Sequence, residues 1–217
     1  MAQGKTARRK NGGAIEDADE IGLLASPTRI EIVDTLETLD APASVIELAA
    51  QLGRPADGLY YHLRQLAAGG LVEQLDTPDG RRYRRRSSDP LRLRYRPGAT
   101  ANADAVGRVA ASVLRVAGRD FARALSDPDS VVEGPQRELW AARGKGWVGT
   151  AELTEINRLL ARLTDLLQRP RPKRGGKLVA LSWVLAPLDA KAPRRASVAT
   201  AAHSRARPPG ATPRRSR

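Results

Sequence analysis

The chain has 217 residues, of which 37 are Lys or Arg and 24 are Asp or Glu, so its formal net charge is +13, and it contains no Cys. Without Cys there is no disulfide framework, no thiolate metal site and no cysteine nucleophile. No apolar run approaches the roughly 20 residues that cross a bilayer, and the basic N-terminus lacks the apolar segment of a secretory signal. We therefore expect a cytoplasmic protein with no membrane partner. The positive charge predicts a polyanion as its partner.

The positive charge is concentrated at the two ends of the chain. Residues 1–14 carry +4 and residues 190–217 carry +8, which is +12 of the total +13. Both ends are poor in large apolar side chains, so we predict a disordered basic arm and a disordered basic tail. Between them, residues 15–53 have nine acidic groups and one basic group, whereas residues 54–96 have ten basic and five acidic groups. This polarity predicts a domain with one side that faces nucleic acid.

The spacing of apolar residues predicts a series of helices in the first third of the chain. They cover residues 15–25, 27–39, 45–52 and 56–68. Ser26 and Ser44 are predicted helix N-caps. Glu47 completes a capping box with Ser44, and Gly53 ends the third helix.

A basic hairpin is predicted after the fourth helix. Residues 71–75 and 81–86 have strand patterns, and Asp79-Gly80 between them is a hairpin-turn signal. The second strand has five arginines in six residues, on both of its faces. We therefore predict that this strand lies at the edge of its sheet, with much of its charge free for phosphates. Helix, turn, helix and hairpin together predict a winged helix-turn-helix domain over residues 15–96.

The second half is predicted to be mainly helical. Residues 91–96 alternate between apolar residues and Arg, as in a strand or an extended arm. Helices are predicted over 103–125 and 150–168, the second capped by Thr150, with an irregular segment between them. The almost continuously apolar residues 178–185 predict a strand buried on both faces.

The predicted fold class is therefore mainly α with a small β-hairpin (α+β), with a winged helix-turn-helix domain before a C-terminal helical region that has one buried strand. Residues 97–189 are expected to form a dimerisation region, with a small-molecule effector left open. Trp140, Trp147 and Trp183 are interpreted as core or interface residues, and the alternative is that they line an effector pocket.

The helix at 56–68 is the candidate for reading DNA. The major groove is about 12 Å wide and admits one helix. Tyr60, Tyr61 and Arg64 lie opposite the apolar stripe, although the tyrosines are alternatively half-buried packing residues. Asp57 fits a partner of the helix dipole better than a reader of cytosine. The predicted DNA-contacting residues are Arg54, Ala56, Asp57, Tyr60, Tyr61, Arg64, Arg81, Arg82 and Arg84.

The stretches ASPTRIEIVDTLETL and ELAAQLGRPADGLYYHLRQLAAGGLVE resemble the ArsR-type winged-helix transcriptional regulators. The matching positions are Leu24, Ser26, Pro27, Arg29, Ile32, Leu36, Leu48, Gly53, His62, Leu63, Leu66, Gly70, Leu71 and Val72. The resemblance covers about residues 18–86, and it implies a homodimer that binds double-stranded operator DNA and represses or otherwise regulates transcription. Metal-sensing members carry Cys before the recognition helix or His and acidic ligands on a terminal helix. Residues 45–52 hold no Cys, so we expect no metal and no other cofactor.

Enzyme activity is not expected, because the chain has no G-x-G-x-x-G, P-loop, G-x-S-x-G or H-E-x-x-H motif. His62 is interpreted as a packed residue rather than a ligand. The sequence thus predicts a sequence-specific DNA-binding regulator in the cytoplasm, associated with the nucleoid. Two alternatives stay open: a non-specific nucleoid- or RNA-associated protein that binds mainly through its basic ends, and a protein-interaction module that uses its winged helix without DNA.

Overall fold

The structure, a computed structural model, describes residues 14–87, 91–96, 98–169 and 176–189. Within these ranges the helices are α1 (Ala18–Leu23), α2 (Pro27–Leu39), α3 (Val45–Leu52), α4 (Ala56–Ala68), α5 (Thr100–Leu125) and α6 (Thr150–Gln168). The strands are β1 (Ala14–Ile15), β2 (Ala43–Ser44), β3 (Val72–Thr77), β4 (Gly80–Arg85) and β5 (Arg92–Leu93). The predicted fold class, mainly α with a small antiparallel sheet, is confirmed. The two basic ends, apart from Ala14, lie outside the described residues.

The helices α2, α3 and α4 begin and end at the predicted residues. Ser44 caps α3 in the predicted capping box: its hydroxyl accepts from the Glu47 amide at 3.2 Å, and the Glu47 carboxylate accepts from the Ser44 amide at 2.6 Å. Gly53 ends α3 in the left-handed conformation, with φ of 60°. Ser26 occupies the N-cap position of α2, but its side chain makes no capping hydrogen bond.

The predicted first helix, 15–25, is too long at its start. Asp17 is the N-cap of α1, and its carboxylate accepts from the backbone amides of Asp19 and Glu20 at 3.0 and 3.1 Å. Ile15 lies before this cap in β1, which pairs in parallel with β5. An aspartate cap therefore ends the helical run that the apolar spacing alone had extended to Ile15.

The prediction that the second hairpin strand lies at a sheet edge is wrong. The sheet order is β2-β4-β3, because Ala43 pairs with Tyr83 and Ser44 with Arg82, which puts β4 in the middle. Arginines on both faces of a central strand are tolerated because carboxylates from α2, α3 and β3 pair with them. Tyr83, which is 2% exposed, anchors the strand in the core. A two-residue strand such as β2 has no periodicity that a sequence pattern can detect.

The core joins the predicted helix-turn-helix segment to the first half of α5. Buried leucines of α4 pack with buried residues of α2 and α3, and α5 adds Ala105, Val106 and Val109. The buried Ser112 hydroxyl donates to the Ala25 carbonyl at 3.0 Å. α5 begins at Thr100, three residues before the predicted start.

Asn102, which is 4% exposed, fixes the start of α5 beside the β1–β5 pair. Its amide nitrogen donates to the Glu16 carbonyl at 2.9 Å and to the Arg94 carbonyl at 3.2 Å. Its amide oxygen accepts from the Arg96 amide at 2.9 Å. A buried polar side chain is tolerated here because its donor and acceptor atoms both have partners.

The C-terminal region contradicts two of the predictions. Residues 178–185 form no strand, and Leu178 and Val184 are 77% and 55% exposed, so the predicted buried strand is wrong. A buried strand needs neighbouring strands for its backbone groups, and no described strand pairs with this segment. Trp140 and Trp147 are 66% and 64% exposed and Trp183 is 39% exposed, so none of them is a core residue of this chain.

The helix α6 spans the predicted residues, although Gly149 is its N-cap and Thr150 its first helical residue. None of its side chains is buried. The chain divides into two units, 1–185 and 186–217, and of the second the structure describes only 186–189, which have no helix or strand.

Candidate nucleic-acid interface

The helix α4 has one buried face and one exposed face. Leu59, Leu63 and Leu66 are at most 1% exposed and hold it against the core. On the other side Tyr60 and Tyr61 are 43% and 55% exposed. Both tyrosines are thus about half exposed, and the Tyr61 ring also makes an edge contact with His62, with ring centroids 5.5 Å apart. The helix therefore has aromatic surface on its exposed side, while its buried leucines fix its position.

Four further candidates belong to this helix or to the turn before it. Asp57 and Arg64 are exposed, whereas Ala56 is half-buried and packs against the core. Arg64 makes no ion pair with any other described residue, so its charge is available to a DNA phosphate or base edge. Arg54 points elsewhere: its guanidinium donates to the Glu31 carboxylate of α2 at 2.6 Å.

The arginines of β4 have carboxylate partners, which corrects the expectation that much of their charge is free. Arg81 lies 3.5 Å from Asp76, and Arg84 lies 2.9 Å from Glu73 of β3. Both arginine side chains are about half exposed, at 56% and 51%. Exposed pairs of this kind contribute about 0–1 kcal/mol, so a DNA phosphate can displace the carboxylate at small cost.

Arg82 is held more firmly than its neighbours. Its Nη2 donates to both oxygens of Glu47 at 3.0 and 2.8 Å, and its Nε donates to the Pro42 carbonyl at 3.0 Å. Hydrogen bonds from Ser44, then from Arg82, hold the pKa of Glu47 below its usual range. Arg82 thus ties β4 to the start of α3, and its side chain is only 31% exposed.

A family model described as a helix-turn-helix domain matches residues 24–74. Residues 24–74 are a helix-turn-helix domain. They run from the end of α1 through α2, α3 and α4 into β3. The match supports a DNA-binding transcriptional regulator, and its description does not separate ArsR-type members from other helix-turn-helix regulators. A search of curated proteins gave no match to this chain.

Arg85 and Arg86 were not among the predicted DNA-contacting residues, but both lie next to the helix-turn-helix domain. Arg85 has a side chain that is 8% exposed and lies 2.7 Å from Glu37 of α2, so it anchors β4 from within. Arg86, just after β4, is exposed and makes no ion pair with another described residue. The sequence has arginine at both positions. Only the tertiary contacts show that Arg85 anchors the strand and that Arg86 is exposed.

His62 lies on α4 between its buried and exposed faces. Its Nδ1 is buried and has no hydrogen-bond partner among the described residues. Burial, followed by the charges of Arg29 and Arg54, lowers the pKa of His62, so the ring is neutral at pH 7. No group of three or more His, Cys, Asp or Glu side chains in the described ranges is placed to hold a metal ion.

None of the described helices is long and apolar enough to cross a membrane. The longest, α5, has Arg and Asp residues along its length and contributes buried side chains only from its first half.

Proposed function

We propose that this protein is a sequence-specific transcriptional regulator of the ArsR-type winged-helix class, which binds double-stranded DNA as a homodimer and represses transcription. One observation carries the proposal: α4 exposes Tyr60, Tyr61 and the unpaired Arg64 on one face, while three buried leucines fix the opposite face. We place its action in the cytoplasm, at the nucleoid.

The proposed contacts follow from the shape of α4 and of the β3–β4 hairpin. α4 lies in the major groove, where Arg64 reaches a phosphate or the O6 and N7 atoms of guanine. Tyr60 and Tyr61 contact sugars or phosphates. The hairpin adds Arg81 and Arg84, whose weak surface pairs exchange for DNA phosphates. Arg82 and Ala56 act mainly by holding the domain together. Asp57 lies in the first turn of α4, where its carboxylate interacts with the helix dipole.

The homodimer is proposed from the exposed stripe of α6. Leucines and one isoleucine recur along it at alternating spacings of three and four residues, at Leu153, Ile156, Leu160, Leu163 and Leu167. Leu153, Leu163 and Leu167 are 42%, 39% and 44% exposed. This rhythm is typical of helices that pair along one seam. We therefore assign residues 97–189 to a dimerisation region, in which an effector site is a further proposal.

Selection of bound sites from random DNA with the purified full-length protein tests this function. We expect a palindrome with half-sites one helical turn apart, about 34–36 Å, because each subunit supplies one recognition helix. Arg64→Ala should weaken binding by about 1–3 kcal/mol and relax the preference at one base position. The control is Arg108→Ala, which removes an exposed arginine of α5. A selection that yields no common sequence would refute the proposal.

The second candidate is non-specific binding through the two basic ends, and it is favoured by the +12 of charge that they carry. Such binding is salt-dependent but does not choose a sequence. Replacing the twelve basic residues of 1–14 and 190–217 with Gln separates the two. A sequence-specific regulator keeps its ratio of specific to non-specific affinity and loses affinity for all DNA alike. A protein that binds through its ends loses nearly all binding.

A further inference from the structure

A single carboxylate holds two arginines that come from different parts of the chain. Glu31 of α2 accepts from Arg54, in the turn before α4, with Oε2 at 2.6 Å from Nη2. The same carboxylate accepts from Arg119 of α5, at 2.5 Å from Oε1 and at 3.2 Å from Oε2. The Glu31 side chain is only 12% exposed. The second half of α5 is thereby joined to the turn that leads into the candidate recognition helix.

The two arginines do not share this carboxylate equally. Arg119 binds both oxygens of Glu31 and also pairs with Asp120 at 2.8 Å. Arg54 has one contact to Glu31, and its side chain is 33% exposed. The Arg119 side chain is similarly exposed, at 37%, so the number of contacts distinguishes the two. Arg54 is therefore the partner that can leave, since it breaks one contact and the carboxylate that it leaves keeps a second cation.

The position of Arg54 gives it another available partner. It stands two residues before Ala56, the first residue of α4. The N-terminus of a helix presents unpaired backbone amides and a partial positive charge, so phosphates settle near it when the helix enters a groove. A phosphate there would compete with Glu31 for the Arg54 guanidinium.

We propose that Glu31 and DNA compete for Arg54, and that Arg119 decides the competition by neutralising Glu31. This inference rests on the proposed DNA-binding function. While Arg119 holds Glu31, Arg54 can move to a phosphate and the largely buried carboxylate still has a cation beside it. Without Arg119 that carboxylate would be left unpaired, which would be costly. When α5 withdraws Arg119, Glu31 retains Arg54 and the protein loses one phosphate contact. A ligand or subunit that shifts the second half of α5 thus changes DNA affinity without touching α4.

Full-length variants test the competition through DNA affinity and its dependence on salt. Arg119→Gln should weaken binding about two- to fivefold, as expected for an ion pair of this strength. Glu31→Gln should tighten binding, and in an Arg119→Gln background it should steepen the slope of log affinity against log salt by about 0.9, the value for one regained phosphate contact. Neither change should matter in an Arg54→Gln background. Arg158→Gln is the matched control, because it breaks the exposed pair with Glu155 on α6.

A merely structural role for Glu31 predicts the opposite sign. If Glu31→Gln weakens DNA binding, or if Arg119→Gln has the same effect with and without Arg54, the inference is wrong. Arg119→Gln leaves Arg54 paired with Glu31, so it serves as the second test if Glu31→Gln does not fold. A wild-type protein that selects no DNA sequence refutes the proposed function, whereas selective binding that ignores these substitutions refutes only this inference.

Discussion

Gly69, at the end of α4, is a position where the side chain of another helix leaves no room for a methyl group. A Cβ built there would lie 2.0 Å from Cδ1 of Leu23 in α1 and 3.3 Å from its Cγ. Gly58, inside α4, has no such neighbour within 4 Å. A larger side chain therefore meets Leu23 at position 69, whereas the space around position 58 can accept one.

We expect opposite effects from alanine at these two positions. Gly69→Ala forces the half-buried Leu23 to move and should lower the free energy of unfolding by about 1–2 kcal/mol. Gly58→Ala removes glycine from a helix interior and should raise it by about 0.5–1 kcal/mol. Urea unfolding of the full-length variants measures both. Equal shifts for the two substitutions would contradict the close approach of α1 to α4.

For single residues, the sequence indicates which positions end a helix, but it does not indicate which side chains those positions contact. Gly53 and the Gly69-Gly70 pair mark the ends of α3 and α4, because glycine adopts the conformations that helix ends need. The approach of Leu23 to Gly69 depends on how α1 packs, which no local pattern encodes. The same holds for Tyr83, a single aromatic residue among arginines that becomes the buried anchor of β4.

Local signals also decide which elements could be predicted. Helices α2, α3 and α4 carry apolar stripes together with Pro, Ser or Gly at their ends, so their bounds follow from the sequence. Residues 178–185 have the apolar content of a buried strand but no partner strand among the described residues. Apolar content indicates a tendency to be buried, and it does not supply the hydrogen bonds that a strand requires.

The N-caps of α2 and α3 give a matched test of capping. Both are serines, but only the Ser44 hydroxyl accepts from a helix amide, and only Ser44 lies in a capping box. Ser44→Ala should therefore lower the free energy of unfolding by about 1 kcal/mol, and Ser26→Ala by clearly less. Chemical denaturation compares them, and equal losses would mean that the Ser44 hydrogen bond contributes little.

On the scale of the whole molecule, the residues between the two basic ends are close to electrically neutral. Residues 15–189 have 25 basic and 24 acidic groups. Acidic residues of α2 and α3 pair with arginines from the turn before α4 and from β4, in the pairs Glu31–Arg54, Glu37–Arg85 and Glu47–Arg82. The acidic and basic segments of the sequence therefore serve largely to hold β4 and the turn before α4 in place. Of the net charge of +13, +12 belongs to residues 1–14 and 190–217.

The proposed homodimer depends on the apolar stripe of α6, which lies outside the buried core of the N-terminal region. α6 buries none of its side chains, and its apolar stripe includes Leu160 and Leu163. Replacing both with Gln should convert a dimer of twice 23.4 kDa into a monomer without lowering the stability of the N-terminal core. Ala161→Gln, on the exposed opposite side of α6, is the control and should leave the dimer intact.

Light scattering of the full-length protein at micromolar concentration measures this change directly. The monomeric variant should also lose affinity for a palindromic site, because each subunit then binds only one half-site, while its affinity for an isolated half-site stays the same. A wild-type protein that is monomeric both free and on DNA would contradict the dimer. A double variant that remains dimeric would show that the interface is not on α6. The exposed second half of α5 would then be the next surface to test, since Leu114 and Leu125 are 53% and 63% exposed.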